Sequence, residues 1–160
     1  MTDPLVDAQG LLHGLHEHNV EYIVFGALAM LFYCYVRTTE DLDIIVNPDQ
    51  ENLDRVAEWL ISLKAVLKLN PARRFGARER WGLHKGSNAT VLTSLGQIDV
   101  VQRLPGLPEW SQLVDEAELY EIDGMRVSVL NRQTLIDLKR RRGSNLDLAY
   151  IDAIQLLTEL

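Results

Sequence analysis

The sequence predicts an α/β chain of the α+β kind: a mixed β-sheet with helices packed on it and a helical pair at the C-terminal end. Three observations carry this expectation. Helix-period and strand-length apolar segments follow in the order helix, strand, helix, strand, helix, several strands, two helices. Leu95-Gly96 and Asp123-Gly124 each separate two strand-like runs, and the latter is a strong hairpin signal. Asp41-Leu42-Asp43 heads the apolar run Ile44-Ile45-Val46, a strand with two carboxylates on one face.

Leu5, Val6, Leu11, Leu12 and Leu15 have roughly helical spacing over Leu5–His18, weakened by Gly10 and Gly14. Glu21–Phe25 is a short strand, Gly26 a tight turn, Ala27–Tyr35 a helix and Asp41–Val46 the second strand. Asn47-Pro48 has the pattern of an N-cap with proline at the first helical position. The helix it opens runs to about Lys64, with Leu53, Val56, Ala57, Leu60, Ile61 and Lys64 along one face. From Ala65 to Gly86 the pattern is broken by Pro71, Gly76, Gly82 and Gly86. Ala89–Ser94 and Gln97–Val101 read as paired strands, Leu104–Pro108 as a bend and Trp110–Glu116 as a short helix. Leu119–Ile122 and Met125–Leu130 form the second hairpin. One helix then runs from an Asn131 cap to Arg142 and stops at Gly143, and another starts from a Ser144 cap and reaches about Glu159.

With 160 residues and 47% hydrophobic content the chain can bury one core. A single domain over residues 1–160 is expected, its core at about 20–102 and its C-terminal hairpin and helices at about 110–160. The net charge of −7 disfavours non-specific nucleic-acid binding through the whole surface. Cys34 is the sole cysteine, which excludes an intramolecular disulfide and a multi-cysteine zinc site and leaves it the part of a small core hydrophobe. Met1-Thr2-Asp3-Pro4 lacks the basic start of a signal peptide. The apolar stretch Tyr22–Val36 is shorter than the ~18 residues of a membrane span and is interrupted by Gly26. A cytoplasmic protein with no membrane partner is expected.

Aspartate is depleted in strands, so Asp41 and Asp43 on one strand face require a cause. Asp99, in Gln97-Ile98-Asp99-Val100-Val101, is a further acid in an apolar strand. Set side by side, the three would repel one another strongly without a cation. A hard divalent ion, Mg²⁺ before Mn²⁺, is held by carboxylates together with substrate phosphates. The alternative is that each acid is solvated at a sheet end or paired with Arg37. Gly26, between strand and helix, allows close backbone approach to a ligand and leaves helix N–H groups for a phosphate.

Val24-Phe25-Gly26-Ala27-Leu28-Ala29 followed by Arg37-Thr38-Thr39-Glu40-Asp41-Leu42-Asp43-Ile44-Ile45-Val46 resembles the core of the DNA polymerase β-type nucleotidyltransferase superfamily. Leu135-Ile136-Asp137-Leu138-Lys139-Arg140-Arg141-Arg142, with Asp147-Leu148, is similar to a segment of its small bacterial AbiEii-like, toxin-type branch. The resemblance spans roughly residues 20–50 and 96–155. It implies a nucleotidyltransferase-like mixed sheet and transfer of an NMP group from an NTP to an acceptor, with tRNA ends and proteins as acceptor classes. Asp41 and Asp43 would then bind the metal, Asp99 would be the third acid, Gly26 the phosphate-turn glycine and Lys139 a triphosphate contact. A toxin–antitoxin role with a cognate antitoxin belongs to the same implication. Gly26-Ala27 departs from the Gly-Ser or Gly-Gly usual at that turn, so the hydroxyl is lost while the Ala27 backbone N–H remains. A binding or regulatory protein on the same fold, with weak or no turnover, is the rival reading.

Arg37 has two open roles, binding the triphosphate or neutralising the acids. Arg140, Arg141 and Arg142 are accounted for by the helix dipole, and Asp147 by a capping box with Ser144. His13, His16 and His18 lack a completing ligand and read as surface-helix residues. Arg73, Arg74, Arg78 and Arg80 could hold an RNA backbone or an acidic partner; without aromatic interleaving they read as a solvated loop.

Overall fold

The computed structural model describes residues 6–32 and 41–143. In chain order the elements are α1 (Ala8–Glu17), β1 (Tyr22–Phe25), α2 (Gly26–Phe32), β2 (Asp41–Val46) and α3 (Gln50–Ser62). They continue with β3 (Val66–Leu67), β4 (Asn70–Arg74), α4 (Ala77–His84), β5 (Ala89–Thr93) and β6 (Gly96–Val101). α5 (Trp110–Glu116), β7 (Glu118–Ile122), β8 (Met125–Val129) and α6 (Arg132–Arg142) complete the series. One mixed sheet holds all eight of these strands in the order β4-β3-β5-β6-β2-β1-β8-β7. β2 pairs parallel with β6 and β1 parallel with β8; the other pairs are antiparallel.

The strand period divides the sheet into an apolar and a polar face at its centre. Leu42, Ile44, Ile98, Val100 and Val24 are 0% exposed on one face. They belong to the same core cluster as Leu11, Leu12 and Leu15 of α1 and Leu53, Val56 and Leu60 of α3. Asp41, Asp43, Gln97 and Asp99 alternate with them and stay partly exposed. Asp123 and Gly124 have φ of 50° and 76°, as a tight hairpin turn between β7 and β8 requires. Asn131 caps α6 by accepting from the Gln133 amide at 2.9 Å, and Gly143 ends it at φ 69°.

Several local expectations are corrected. α1 begins at Ala8, because Asp7 caps it through a 2.9 Å bond from the Gly10 amide. α3 begins at Gln50, since Asn47 bonds instead to the Asp49 amide and to Glu21. It ends at Ser62, Lys64 turning out at φ 53°, and Ile61 is 44% exposed rather than part of the buried stripe. The first hairpin turns at Ser94-Leu95, with Thr93 paired to Gly96. Residues 65–86, read as broken, form β3, β4 and α4. Pro71 is tolerated because β4 is an edge strand. Gly76 precedes α4, where the Glu79 carboxylate accepts its backbone N–H at 2.9 Å.

Cys34, Arg37, Asp147 and the helix expected from Ser144 lie outside the described residues. Among the described residues no helix is long and apolar enough to cross a membrane.

Candidate active site

The parallel register of β2 and β6 sets Asp43 opposite Asp99 and Asp41 opposite Gln97. Each of the three aspartates offers a carboxylate oxygen, and these oxygens all lie within 4.8 Å of one another. Such proximity is costly for three anions. The Asp43 carboxyl is accordingly pushed up to about 8, first by burial, then by a hydrogen bond and the charge of Asp99, then by the charge of Asp41. The charge of Lys139 acts in the opposite sense and favours ionised Asp43. Lys139, on α6, is 6% exposed, a buried cation beside an acidic cluster. Three hard oxygen donors with this spacing, and a carboxyl that gives up its proton reluctantly without a counter-charge, fit a divalent cation such as Mg²⁺.

Gly26 is required by the same packing. It adopts φ +71°, and a Cβ built on it would stand 2.1 Å from Asp43 Oδ2. Phe25 is register partner to Asp43, so the turn out of β1 passes directly over that carboxylate. Glycine thus serves two needs here: a left-handed backbone and room for the acid.

Two cavities meet at the acids. The first, of about 400 Å³, has an apolar wall that includes Phe25, Leu104, Leu135 and Leu138 and closes on Asp43, Asp99 and Lys139. The second, of about 810 Å³, touches all three aspartates and extends past Thr90, Ser87 and Gln97 toward Lys68 and Glu79.

Of the residues proposed from the sequence, Asp41, Asp43, Asp99, Gly26 and Lys139 therefore converge, while Ala27 follows Gly26 in α2 and Arg37 is outside the described residues. Sequence reasoning missed Arg141. It lines the first cavity and packs over Gly106, whose added Cβ would lie 2.3 Å from Arg141 Nε. Its helical spacing from Leu138 was the available signal. The three N-terminal histidines have structural partners: His13 with Asp123 at 2.9 Å, His16 with the Tyr22 hydroxyl at 3.0 Å and His18 with the Gly14 carbonyl oxygen at 2.8 Å.

No family model and no curated protein sequence matches the chain. Solved structures do. The lincomycin-bound lincosamide antibiotic adenylyltransferase LnuA matches with TM-score 0.69 and 12% identity, over 96% of this chain and 99% of that one. An antigenic nucleotidyltransferase-like protein from Paracoccidioides brasiliensis matches with TM-score 0.59 and 15% identity, over 94% and 78%. ANT(2'')-Ia, in complex with adenylyl-2''-tobramycin, matches with TM-score 0.54 and 11% identity, over 93% and 91%. At such identities the likeness establishes the fold, which is nucleotidyltransferase-like.

Proposed function

We propose that the chain is a metal-dependent nucleotidyltransferase that moves an NMP group from an NTP to an acceptor hydroxyl. The observation that carries this reading is the convergence of three aspartates, from two adjacent strands, between two cavities of substrate size. The fold shared with nucleotidyltransferases supports it. Asp41 and Asp43 would hold Mg²⁺, with Asp99 completing the donor set. When bound, the ion supplies Lewis acidity at the α-phosphate and neutralises the acids.

The remaining work falls to the chain's own groups. The apolar wall of the first cavity suits a nucleobase, which lets Lys139 and the backbone N–H groups of Gly26 and Ala27 meet the triphosphate at its inner end. Arg37 belongs to the same proposed triphosphate set. The acceptor enters through the second cavity, on the Asp41 side. Its hydroxyl oxygen bonds to the α-phosphorus, the bond from that phosphorus to the bridging β-oxygen breaks, and pyrophosphate leaves. Asp99 takes the hydroxyl proton.

Incubating the protein with α-³²P-labelled ATP, CTP, GTP and UTP in the presence of Mg²⁺, total RNA and total protein tests this reading. Label appearing in one fraction, and lost with Asp43→Ala, is the expected result. Label in neither fraction, or label undiminished in Asp43→Ala, overturns it.

A further inference from the structure

The segment from Gln102 to Pro108, between β6 and α5, is neither strand nor helix, yet it supplies Leu104 and Pro105 to the apolar wall of the first cavity. Packing alone does not fix it there. Leu104 also borders a third cavity, of about 540 Å³, formed with Ile45, Leu107, Trp110 and Leu113. With open space at two of its borders, the segment depends for its position on its hydrogen bonds.

Two side chains make those bonds. The β5–β6 ladder ends at the pair Ala89 and Val100, and just beyond it Asn88 continues the pairing with its side-chain amide. Asn88 Oδ1 accepts from the Gln102 and Arg103 amides at 2.7 and 3.1 Å, and Nδ2 donates to the Arg103 carbonyl at 2.8 Å. Gln102 completes the clasp, its Nε2 donating to the carbonyls of Leu83 at 2.9 Å and Ser87 at 2.8 Å, in and just beyond α4. The Arg103 guanidinium packs on Gly86, where φ is +91° and an added Cβ would stand 2.5 Å from it. At the far end Arg141 packs on Gly106, and the Leu107 amide closes a turn on the Leu104 carbonyl at 3.0 Å. Asn88 borders both the first and second cavities; Gln102 lines neither, so it acts on a ligand there only through the loop it holds.

We propose that Asn88 and Gln102 are positioning residues for the nucleoside half of the NTP, their clasp holding Leu104 and Pro105 as the wall against which the base lies. The inference rests on the nucleotidyl-transfer reading above, which sets the base on this wall and the triphosphate on the metal, Lys139 and the Gly26 turn. The two halves of the ligand then answer to different parts of the chain. The triphosphate meets groups carried by β2, β6 and α6, which stand whether or not the loop is held. The base meets a segment placed by five side-chain hydrogen bonds, each modest by itself and all directed to one loop. Releasing the loop therefore weakens the base contact and spares the phosphate contact.

Calorimetric titration of the full chain with ATP, CTP, GTP and UTP in Mg²⁺, beside inorganic tripolyphosphate in Mg²⁺, tests the proposal, because tripolyphosphate carries the ligand's charge without its base. The parent should bind at least one NTP more tightly than tripolyphosphate. Gln102→Ala and Asn88→Ala should each weaken that NTP about tenfold and tripolyphosphate by less than about twofold. Hydrogen exchange at the Gln102 and Arg103 amides should quicken in Asn88→Ala while the amides of β2 and β6 stay protected, which shows that the variant is folded. Unchanged NTP affinity in both variants, or NTP and tripolyphosphate weakened in parallel, overturns the proposal alone. No NTP bound by the parent, or tripolyphosphate bound as tightly as every NTP, overturns the premise and the proposal with it.

Discussion

At the scale of single residues, Gly26 and Asp43 form a unit in which backbone and carboxylate share one small volume. Gly26→Ala must force a Cβ into Asp43 Oδ2 while straining a backbone at φ +71°. We expect a loss of stability of about 1–3 kcal/mol and loss of Mg²⁺ binding, read by thermal melting with and without the ion. Asp43 makes a second prediction, in pH. Its folded-state carboxyl titrates near 8, far above an unfolded aspartate. A raised acid keeps its proton in the folded state while the unfolded chain loses it, so metal-free stability falls as pH rises from about 4 to about 8. Asp43→Asn should remove that decline, on the order of a few kcal/mol, and should melt higher than the parent at pH 8 without metal. It should also lose the stabilisation by Mg²⁺ that the parent shows there. A parent protein whose melting temperature is flat over that range would contradict the account of this carboxyl.

At the scale of elements, two contacts join α1 and α3 to their neighbours, and neither follows from pattern. Asn52 is fully buried in α3; its Oδ1 accepts from the Glu21 amide at 2.8 Å, and its Nδ2 donates to the carbonyls of Glu21 at 3.0 Å and Asn47 at 2.9 Å. Asn52→Leu removes the side-chain partner of the Glu21 amide and the Asn47 carbonyl, while the Glu21 carbonyl keeps the Asn47 amide, and should destabilise by about 1–3 kcal/mol in urea melts, without changing Mg²⁺ affinity. Gly14, a helix-weakening residue by propensity, lies against the buried indole of Trp59, whose Nε1 would be 2.6 Å from an added Cβ. Gly14→Ala should therefore destabilise α1 packing by about 1–3 kcal/mol despite alanine's better helix propensity. What the sequence disclosed were features with a local cause: the alternation Leu42, Ile44 against Asp41, Asp43, the turn at Asp123-Gly124, and the Asn131 and Gly143 caps. What it withheld depends on partners distant in the chain. Residues 65–86 looked broken because Pro71 is acceptable only on an edge, and sequence position says nothing about edges. Asn47 looked like a cap, but the amide of Asp49 and the carboxylate of Glu21 take its side chain.

At the scale of the whole molecule, the parallel pairing of β2 with β6 turns an acid pair into a triad, and α6 brings a buried cation to it. The three acids were each legible as misplaced strand residues, whereas their register and the second cavity emerge only from the assembled sheet. In the arginine-rich segment, α4 leaves Trp81 exposed, with the Lys85 ammonium 5.3 Å from its ring centroid. The central claim is that the triad and the cavity ending at Lys139 bind an NTP with Mg²⁺. Isothermal titration of the protein with ATP, CTP, GTP and UTP, with and without Mg²⁺, tests it most directly. The account predicts saturable binding of at least one of the four that requires Mg²⁺ and is abolished in Asp43→Ala. Binding of none of them, or binding that survives both removal of Mg²⁺ and Asp43→Ala, would contradict it.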